Sequence, residues 1–351
     1  MAFRVRLTPS GHEFAVAPGE TVLDAARAQG YALPYSCLSG RCGSCKATVL
    51  EGEIRHHQPP VALSGEERSA HQVLLCQAEP LTDLVVAARE VPSVADMPKR
   101  QLAMKVVERT LLAPDVMRLM LRPPAGQTLR YVAGQYLDVL LPGGKRRAFS
   151  IANAPEDAAR IELHIRRVAG GGFTAHVFDT MREGEVLRVE GPLGTFVPRE
   201  DSERAMLFVG GGTGIAPIKA IVEHFLHLGT ARPIHVYWGV RSEADLYLPK
   251  LPARLVERHP ALFFTSVLSE PGPGEAARHR TGLVHEVVVA DFPDLSELDV
   301  YMSGPPAMID AARHAFVHAG LDESRLYYDS FDYAPDVLAA IVAARAGLSP
   351  P

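Results

Sequence analysis

Cys37-Leu38-Ser39-Gly40-Arg41-Cys42-Gly43-Ser44-Cys45 decides how this chain is read, together with one more cysteine, Cys76, downstream. The spacing is C-x4-C-x2-C followed by a long gap, a pattern by which four thiolates hold a [2Fe–2S] cluster. Such a core is anionic, and inward-pointing backbone amides raise its potential. Amides can come that close only beside small residues, which Ser39, Gly40, Gly43 and Ser44 supply; glycine also permits the positive-φ turns of a wrapping loop. A four-cysteine zinc site is the first alternative, but zinc sites usually show paired C-x2-C arms, and Cys76 has no near partner. A disulfide framework is the second. It suits a small secreted domain, not 351 residues without a secretory segment.

Around this loop the composition is that of an ordinary globular protein, long enough for two or three domains. The formal net charge of −5 leaves no basic footprint for nucleic acid. No apolar run reaches membrane-spanning length, so no membrane role is expected. Met1-Ala2-Phe3-Arg4-Val5-Arg6 alternates apolar and basic residues and reads as a strand, not a signal peptide. A cytoplasmic location is the expectation, since thiols must stay reduced until iron is loaded.

Three parts follow from changes of rhythm. Residues 1–90 hold a hairpin (Phe3–Leu7, Glu13–Val16) and a helix capped by Thr21 and stopped by Gly30. The cysteine loop comes next, then a strand from Lys46, a short helix with Ser64 and Glu67 at capping-box spacing, and a strand over Asp83–Ala88. Residues 91–99, with Pro92 and Pro98, read as a semi-stiff linker. Residues 100–198 are strand-rich, at Met104–Glu108, Val116–Leu121, Tyr136–Leu141, Arg160–Arg166 and Val186–Val189, and suggest an antiparallel barrel. Residues 199–336 alternate apolar strands (Ala205–Val209, His235–Trp238, Leu262–Val267, Asp299–Met302) with helices over Pro217–Leu228 and Pro306–His318. That alternation predicts a doubly wound parallel sheet. The alanine-rich tail 337–351 could add a last helix and is assigned no chemistry.

Two further motifs carry chemistry. Arg147-Ala148-Phe149-Ser150 is followed some twenty residues later by Gly171-Gly172-Phe173-Thr174 at a helix start. Free amides and the helix dipole make that turn a phosphate seat. Arg147 can pair with a pyrophosphate, Phe149 offers a flat face to a flavin ring, and Ser150 can reach the ring's reactive edge. The second motif is Gly210-Gly211-Gly212-Thr213-Gly214-Ile215-Ala216-Pro217, between a strand and a helix. It lacks the third glycine of G-x-G-x-x-G, and the next strand ends at Tyr237-Trp238-Gly239 with no acidic residue.

Taken in order, these motifs resemble the ferredoxin–NADP reductase superfamily. The whole chain is similar to the three-domain reductase components of multicomponent oxygenases and to CDP-6-deoxy-Δ3,4-glucoseen reductase. The resemblance implies a multidomain α+β and α/β fold: a β-grasp plant-type ferredoxin, an antiparallel β-barrel FAD domain and a doubly wound parallel-sheet NAD domain. It places FAD on Arg147, Phe149 and Ser150, on the strand carrying His164 and Arg166, and on Gly171, Gly172, Phe173 and Thr174. Phe331 sits where such reductases carry an aromatic over the other flavin face; it and Ser150 are the residues expected at the reacting ring. The superfamily's Gly-Thr-Gly-x-x-Pro turn matches Gly212, Thr213, Gly214 and Pro217. Its Cys-Gly-Pro becomes Ser303-Gly304-Pro305 here, a hydroxyl where the family has a thiol. Where NADP-using relatives place Ser-Arg, this chain has Ser269-Glu270, and a carboxylate repels a 2′-phosphate. NADH is therefore the expected donor, and Arg241 is the residue that would favour NADPH.

The expected activity is that of an NAD(P)H-dependent flavin iron–sulfur oxidoreductase. Hydride passes from NADH to FAD, and single electrons leave through a cluster on Cys37, Cys42, Cys45 and Cys76 to a protein acceptor, an oxygenase component first. A deoxysugar dehydratase as client, or a free-standing flavin or quinone reductase, are the alternatives. Fourteen histidines invite metal readings. Neither His56-His57, pointing apart on a strand, nor His224 with His227, one helical turn apart, has enough ligands nearby. Trp238, the only tryptophan, reads as sheet core.

Overall fold

The computed structural model describes residues 2–91, 94 and 97–331. The expected tail helix, and part of the expected linker, lie outside the described residues. By contact density the chain forms two units. One is the described residues up to Pro98 with Gly194–Phe196; the other is Lys99–Leu193 with the described residues from Val197 on. The sequence divides the second unit into barrel and parallel sheet, but the two pack as one body.

In the first unit the order is β1 (Phe3–Thr8), β2 (Glu13–Val16), α1 (Val22–Ala28), β3 (Lys46–Glu51), β4 (Ile54–His56), α2 (Gly65–Ser69), β5 (Gln72–Leu74), β6 (Ala78–Pro80) and β7 (Leu84–Ala87). The main sheet runs β2-β1-β7-β3-β5, with β1 and β7 parallel and the other pairs antiparallel. β4 and β6 make a separate two-stranded ribbon. The alternation read in the first strand is real: Val5 and Leu7 are fully buried while Arg4 and Arg6 face outward. Thr21 caps α1 by accepting the Asp24 amide at 3.1 Å, and Ser64 and Glu67 form the full capping box on α2. Gly194–Phe196 group here because Tyr35 N–H donates to Thr195 Oγ1 (2.7 Å) and Gly194 N–H donates to Tyr35 Oη (3.0 Å).

The second unit opens with a barrel: β8 (Arg100–Ala113), β9 (Val116–Arg122), β10 (Tyr136–Leu140), β11 (Arg146–Ser150), β12 (Ile161–Arg166), α3 (Gly172–Asp179) and β13 (Val186–Leu193). All its strand pairs are antiparallel, in the order β11-β10-β13-β8-β9-β12, and an Ile151–Leu163 bridge joins the two ends. Leu119, Leu137, Val139, Leu163 and Val189, fully buried, fill its interior.

The parallel part comprises β14 (Ala205–Gly211), α4 (Ile215–His227), β15 (Ile234–Val240), α5 (Leu251–Val256), β16 (Leu262–Leu268), β17 (Arg280–Thr281), α6 (Val284–Asp291), β18 (Leu298–Gly304), α7 (Pro306–His318) and β19 (Leu326–Ser330). The sheet order is β17-β16-β15-β14-β18-β19, parallel throughout. The winding reverses between β14 and β18, and ligands of such sheets bind at that switch point. α4 begins at Ile215, two residues before the expected start. Pro217 sits in its first turn, where the missing N–H would have had no intrahelical partner.

Candidate functional site: thiol pairs and two phosphate-ready turns

The cysteine loop is built to point amides at sulfur. Ser39 and Cys42 N–H donate to Cys37 Sγ at 3.4 Å, and Ser44 N–H donates to Cys42 Sγ at 3.5 Å. Gly40 and Gly43 sit at φ +76° and +77°, and Leu38 at +58°. A Cβ on Gly40 would meet the Gln77 side chain at 2.9 Å, while the Gln77 amide donates to the Leu38 carbonyl. All four cysteines are free thiols, which removes the disulfide alternative. They fall into two pairs, Cys37 with Cys42 and Cys45 with Cys76, the latter with sulfurs 3.3 Å apart. Among the described residues no three His, Cys, Asp or Glu converge on one metal-sized point. Two pairs of thiols suit two irons better than the single tetrahedral centre zinc requires.

Within each pair one thiol is hydrogen-bonded to the other. The bond from Cys42 holds Cys37 down at about 5, and the same contact with burial pushes Cys42 well up. Cys45 is likewise raised, and Cys76 lowered, by their mutual bond. Metal loading would displace the shared protons, as thiolate ligation requires. The Ser44 hydroxyl is buried beside the loop and faces Cys42, whose pKa it lowers against the stronger upward pushes. The residues therefore fit a [2Fe–2S] cluster.

On the barrel, Phe149 of β11 packs against Phe173 of α3 with ring centroids 5.6 Å apart. Arg147 is half-buried, its Nη1 donating to the Arg146 carbonyl at 2.8 Å. The Thr174 hydroxyl knits the turn before α3: it donates to the Gly171 carbonyl (3.0 Å) and accepts from the Val168 amide (3.2 Å). A Cβ on Gly171 would stand 2.7 Å from that hydroxyl. α3 has no side-chain cap, so its first amides stay open to a phosphate, and Gly172 is exposed there. Arg166 offers a second cation. Its buried Nε and Nη2 make no hydrogen bond, and Asp115 lies 3.5 Å from Nε as an ion pair. A dinucleotide pyrophosphate fits these donors. His164 does something else. Both its ring nitrogens are engaged, Nε2 with Glu162 (2.8 Å) and Nδ1 with Tyr247 (3.1 Å), so its ring has no nitrogen left for a cofactor.

The Gly212–Gly214 turn stands at the switch point. A Cβ on Gly214 would lie 1.9 Å from the Ser303 carbonyl, and one on Gly211 would meet Met308 Sδ at 2.5 Å. Only glycines let this turn lie against the end of β18. Ser303 is fully buried, yet its Oγ has no partner, an orphaned hydroxyl beside the turn. Phe331, just past β19, donates its N–H to the Gly304 carbonyl at 2.9 Å, and the Ser150 hydroxyl lies 3.4 Å from Asp329 of β19. The structure thus brings Ser150, Ser303, Gly304 and Phe331 to one region, between the barrel and the parallel sheet of the second unit. Pro305 N-caps α7 there, packed on Gly211. Thr213 lies half-buried inside the turn. Arg241 is exposed past β15, its guanidinium 3.7 Å from Asp245, and its carbonyl accepts the Glu270 amide at 2.8 Å.

The sequence passed over one group, the buried quartet Glu162, His164, Lys219 and Tyr247. Lys219 Nζ donates to the Ala152 carbonyl (2.8 Å), Glu162 (3.0 Å) and Glu223 (3.1 Å). A lysine in the apolar run of α4 was the available signal. Three of the four histidines in the paired positions have protein partners: His56 accepts the Leu74 amide (3.3 Å), His57 lies 3.3 Å from Glu79, and His224 bridges Glu156 and Glu200.

Comparison with known proteins agrees with this geometry. Residues 5–81 match the 2Fe-2S iron-sulfur cluster binding domain, 103–197 the oxidoreductase FAD-binding domain, and 208–314 the oxidoreductase NAD-binding domain. The chain is 36% identical to the CDP-6-deoxy-L-threo-D-glycero-4-hexulose-3-dehydrase reductase of Yersinia pestis, over 94% of this chain and 99% of the relative. It is 33% identical to terephthalate 1,2-dioxygenase reductase component 2 of Comamonas sp, over 95% and 99%. Among solved structures, the cytochrome P450 reductase GcoB of Amycolatopsis superposes with a TM-score of 0.74 at 36% identity, covering 94% of this chain and 98% of that one. With cluster, flavin and dinucleotide domains in one order along one chain, this protein belongs to the ferredoxin–NADP reductase superfamily, in its branch of three-domain NAD(P)H-dependent, FAD-containing [2Fe–2S] oxidoreductases.

Proposed function

We propose that the protein takes hydride from NADH and delivers single electrons to a protein acceptor that docks at the Cys37–Cys45 loop. An oxygenase component is the acceptor we favour. When bound, FAD supplies the exchange between two-electron and one-electron transfer, and the cluster carries one electron at a time. The chain's own residues hold and orient. Arg147, Arg166 and the α3 amides neutralise phosphate, Phe149 and Phe331 flank the ring position, and the Gly212–Gly214 turn receives the dinucleotide. No side chain need act as a base, since hydride moves directly. The observation that carries the proposal is the pairing of thiols 37/42 and 45/76 in the same chain as two phosphate-ready turns.

NADH over NADPH is supported at the end of β15. Asp245 stands 3.7 Å from the Arg241 guanidinium, and backbone pairing holds Glu270 beside Arg241. Two carboxylates there oppose a 2′-phosphate. A cytoplasmic setting belongs to the same proposal; no helix among the described residues is long and apolar enough to cross a membrane.

A second reading keeps the reductase and changes the client to a deoxyhexulose dehydrase. It is favoured by the 36% identity over nearly the whole length of the Yersinia dehydrase reductase. Reconstituted turnover decides. The holoprotein is mixed with purified oxygenase or dehydrase components encoded beside its gene, and NADH consumption coupled to product is measured. Product with the oxygenase supports the first reading. Product only with the dehydrase supports the second. NADH consumption with no protein acceptor needed refutes both.

A further inference from the structure

Trp238 is almost wholly buried at the centre of the parallel sheet, and a buried indole N–H must find an acceptor. It donates to the carbonyl of Gly212, the first residue of the dinucleotide turn, at 2.8 Å. Gly212 sits at φ +55°, and a glycine's peptide plane can be turned with little intrinsic preference. That carbonyl also accepts the Ile215 amide that closes the turn, and the indole is the side-chain donor that completes its setting.

The indole is itself held. Tyr247 meets Trp238 edge-on, with centroids 5.3 Å apart and planes at 89°, and is buried. The Tyr247 hydroxyl reaches Nδ1 of His164 at 3.1 Å, and His164 Nε2 meets Glu162 at 2.8 Å. An ionised carboxylate only accepts, so Nε2 carries the ring proton and Nδ1 takes the tyrosine's. Burial, outweighing Glu162, pushes the imidazole's pKa down and keeps it neutral in this role. His164 lies on β12 two residues from Arg166, whose guanidinium carbon would be 3.8 Å from a Cβ on Gly212. The chain Glu162–His164–Tyr247–Trp238–Gly212 thus runs from the flavin-bearing barrel to the dinucleotide turn, through buried side chains.

We infer that Trp238, braced by Tyr247 on His164, is a positioning residue that fixes the Gly212 carbonyl and with it the pose of the dinucleotide turn relative to the barrel strand that carries Arg166. The inference rests on reading that turn as the dinucleotide seat. Trp238 itself is not expected to touch the cofactor. Its loss should leave affinity nearly intact and slow the step that needs close approach of the two rings, because reacting atoms tolerate little misplacement.

The test uses FAD- and cluster-loaded protein, wild type and Trp238→Phe, Tyr247→Phe and the double variant. NAD+ binding is followed by the flavin's visible difference spectrum, which needs no turnover, and hydride transfer by anaerobic stopped-flow bleaching with NADH. Each single variant should bind NAD+ within about twofold of wild type, give an altered difference spectrum, and transfer hydride about tenfold more slowly, the size of one lost hydrogen bond. Because the two residues act in series, the double variant should also lose about tenfold, not the product of two losses. Unchanged rate and spectrum in folded Trp238→Phe overturn the inference and leave the proposed function standing. A multiplicative double variant also overturns it. If Trp238→Phe does not fold, Tyr247→Phe decides by the same criteria. A wild-type protein that binds no NAD+ overturns the reading of the turn and this inference together.

Discussion

Replacing Lys219 by methionine removes the one ammonium in the buried quartet and keeps most of the aliphatic stem. The side chain is only 6% exposed, and its Nζ donates to Glu162, Glu223 and the Ala152 carbonyl. Burial alone would raise the Glu162 carboxyl. The bond from His164 and the charge and bond of Lys219 outweigh it and hold Glu162 at about 2, against a usual 4.5. That lowering corresponds to roughly 3 kcal/mol at neutral pH, shared among those partners. Lys219's share of that is at most about 3 kcal/mol, the low end of the about 3–5 kcal/mol that removing one member of a buried pair costs. In a unit of this size each kcal/mol moves Tm by about 2–4 °C, so the variant should melt roughly 6–12 °C below wild type. A folded-state carboxyl held low contributes stability that is fully present above its unfolded pKa and is lost as pH falls through the folded value. The gap between wild type and variant should therefore be constant down to about pH 4.5 and close as pH approaches 2. Circular dichroism melts of the two proteins across that range are the assay. A Tm change under about 2 °C at neutral pH, or a gap that widens in acid, refutes the reasoning.

Three further outcomes are expected. Cys76→Ser should abolish the cluster's visible absorbance and electron delivery to a protein acceptor, while NADH still bleaches the flavin; iron analysis with stopped-flow checks both. Arg147→Ala should weaken FAD binding by about 10–100-fold, the worth of a charge-assisted bond, as read by flavin fluorescence on titrating the apoprotein. Gly214→Ala should lower Tm and abolish NAD+ binding together, because its Cβ would stand 1.9 Å from the Ser303 carbonyl and the turn would have to move.

What the sequence showed of this molecule was what local chemistry enforces. The cysteine spacing, the caps at Thr21 and Ser64, and the Gly212–Gly214 turn each depend on a few neighbouring residues, and each formed as expected. Of the 14-residue β8 the sequence marks only Met104–Glu108, because its pairing with β9 shifts register twice and its outer half is neither clearly buried nor exposed. β19 escaped because Leu326–Ser330 packs as an edge strand beside β18 without a distinctive alternation of its own. The Glu162–His164–Lys219–Tyr247 quartet was invisible for another reason. Its members are up to 85 residues apart, and a lysine or histidine becomes a buried partner only once β12, α4 and the loop after β15 are packed. His164 was accordingly expected beside the flavin pyrophosphate. The strand carries Arg166 with two buried guanidinium nitrogens unpaired, while the imidazole turns to Tyr247. Trp238 is sheet core, as expected, and also holds the turn.

The most direct test of the account is an anaerobic titration of the holoprotein with NADH, frozen and read by EPR. The account predicts that flavin bleaching is accompanied by the rhombic signal of a reduced [2Fe–2S] centre, at about one spin per chain. Flavin that bleaches with no such signal, in protein whose four cysteines analyse for zinc instead of iron, would contradict it.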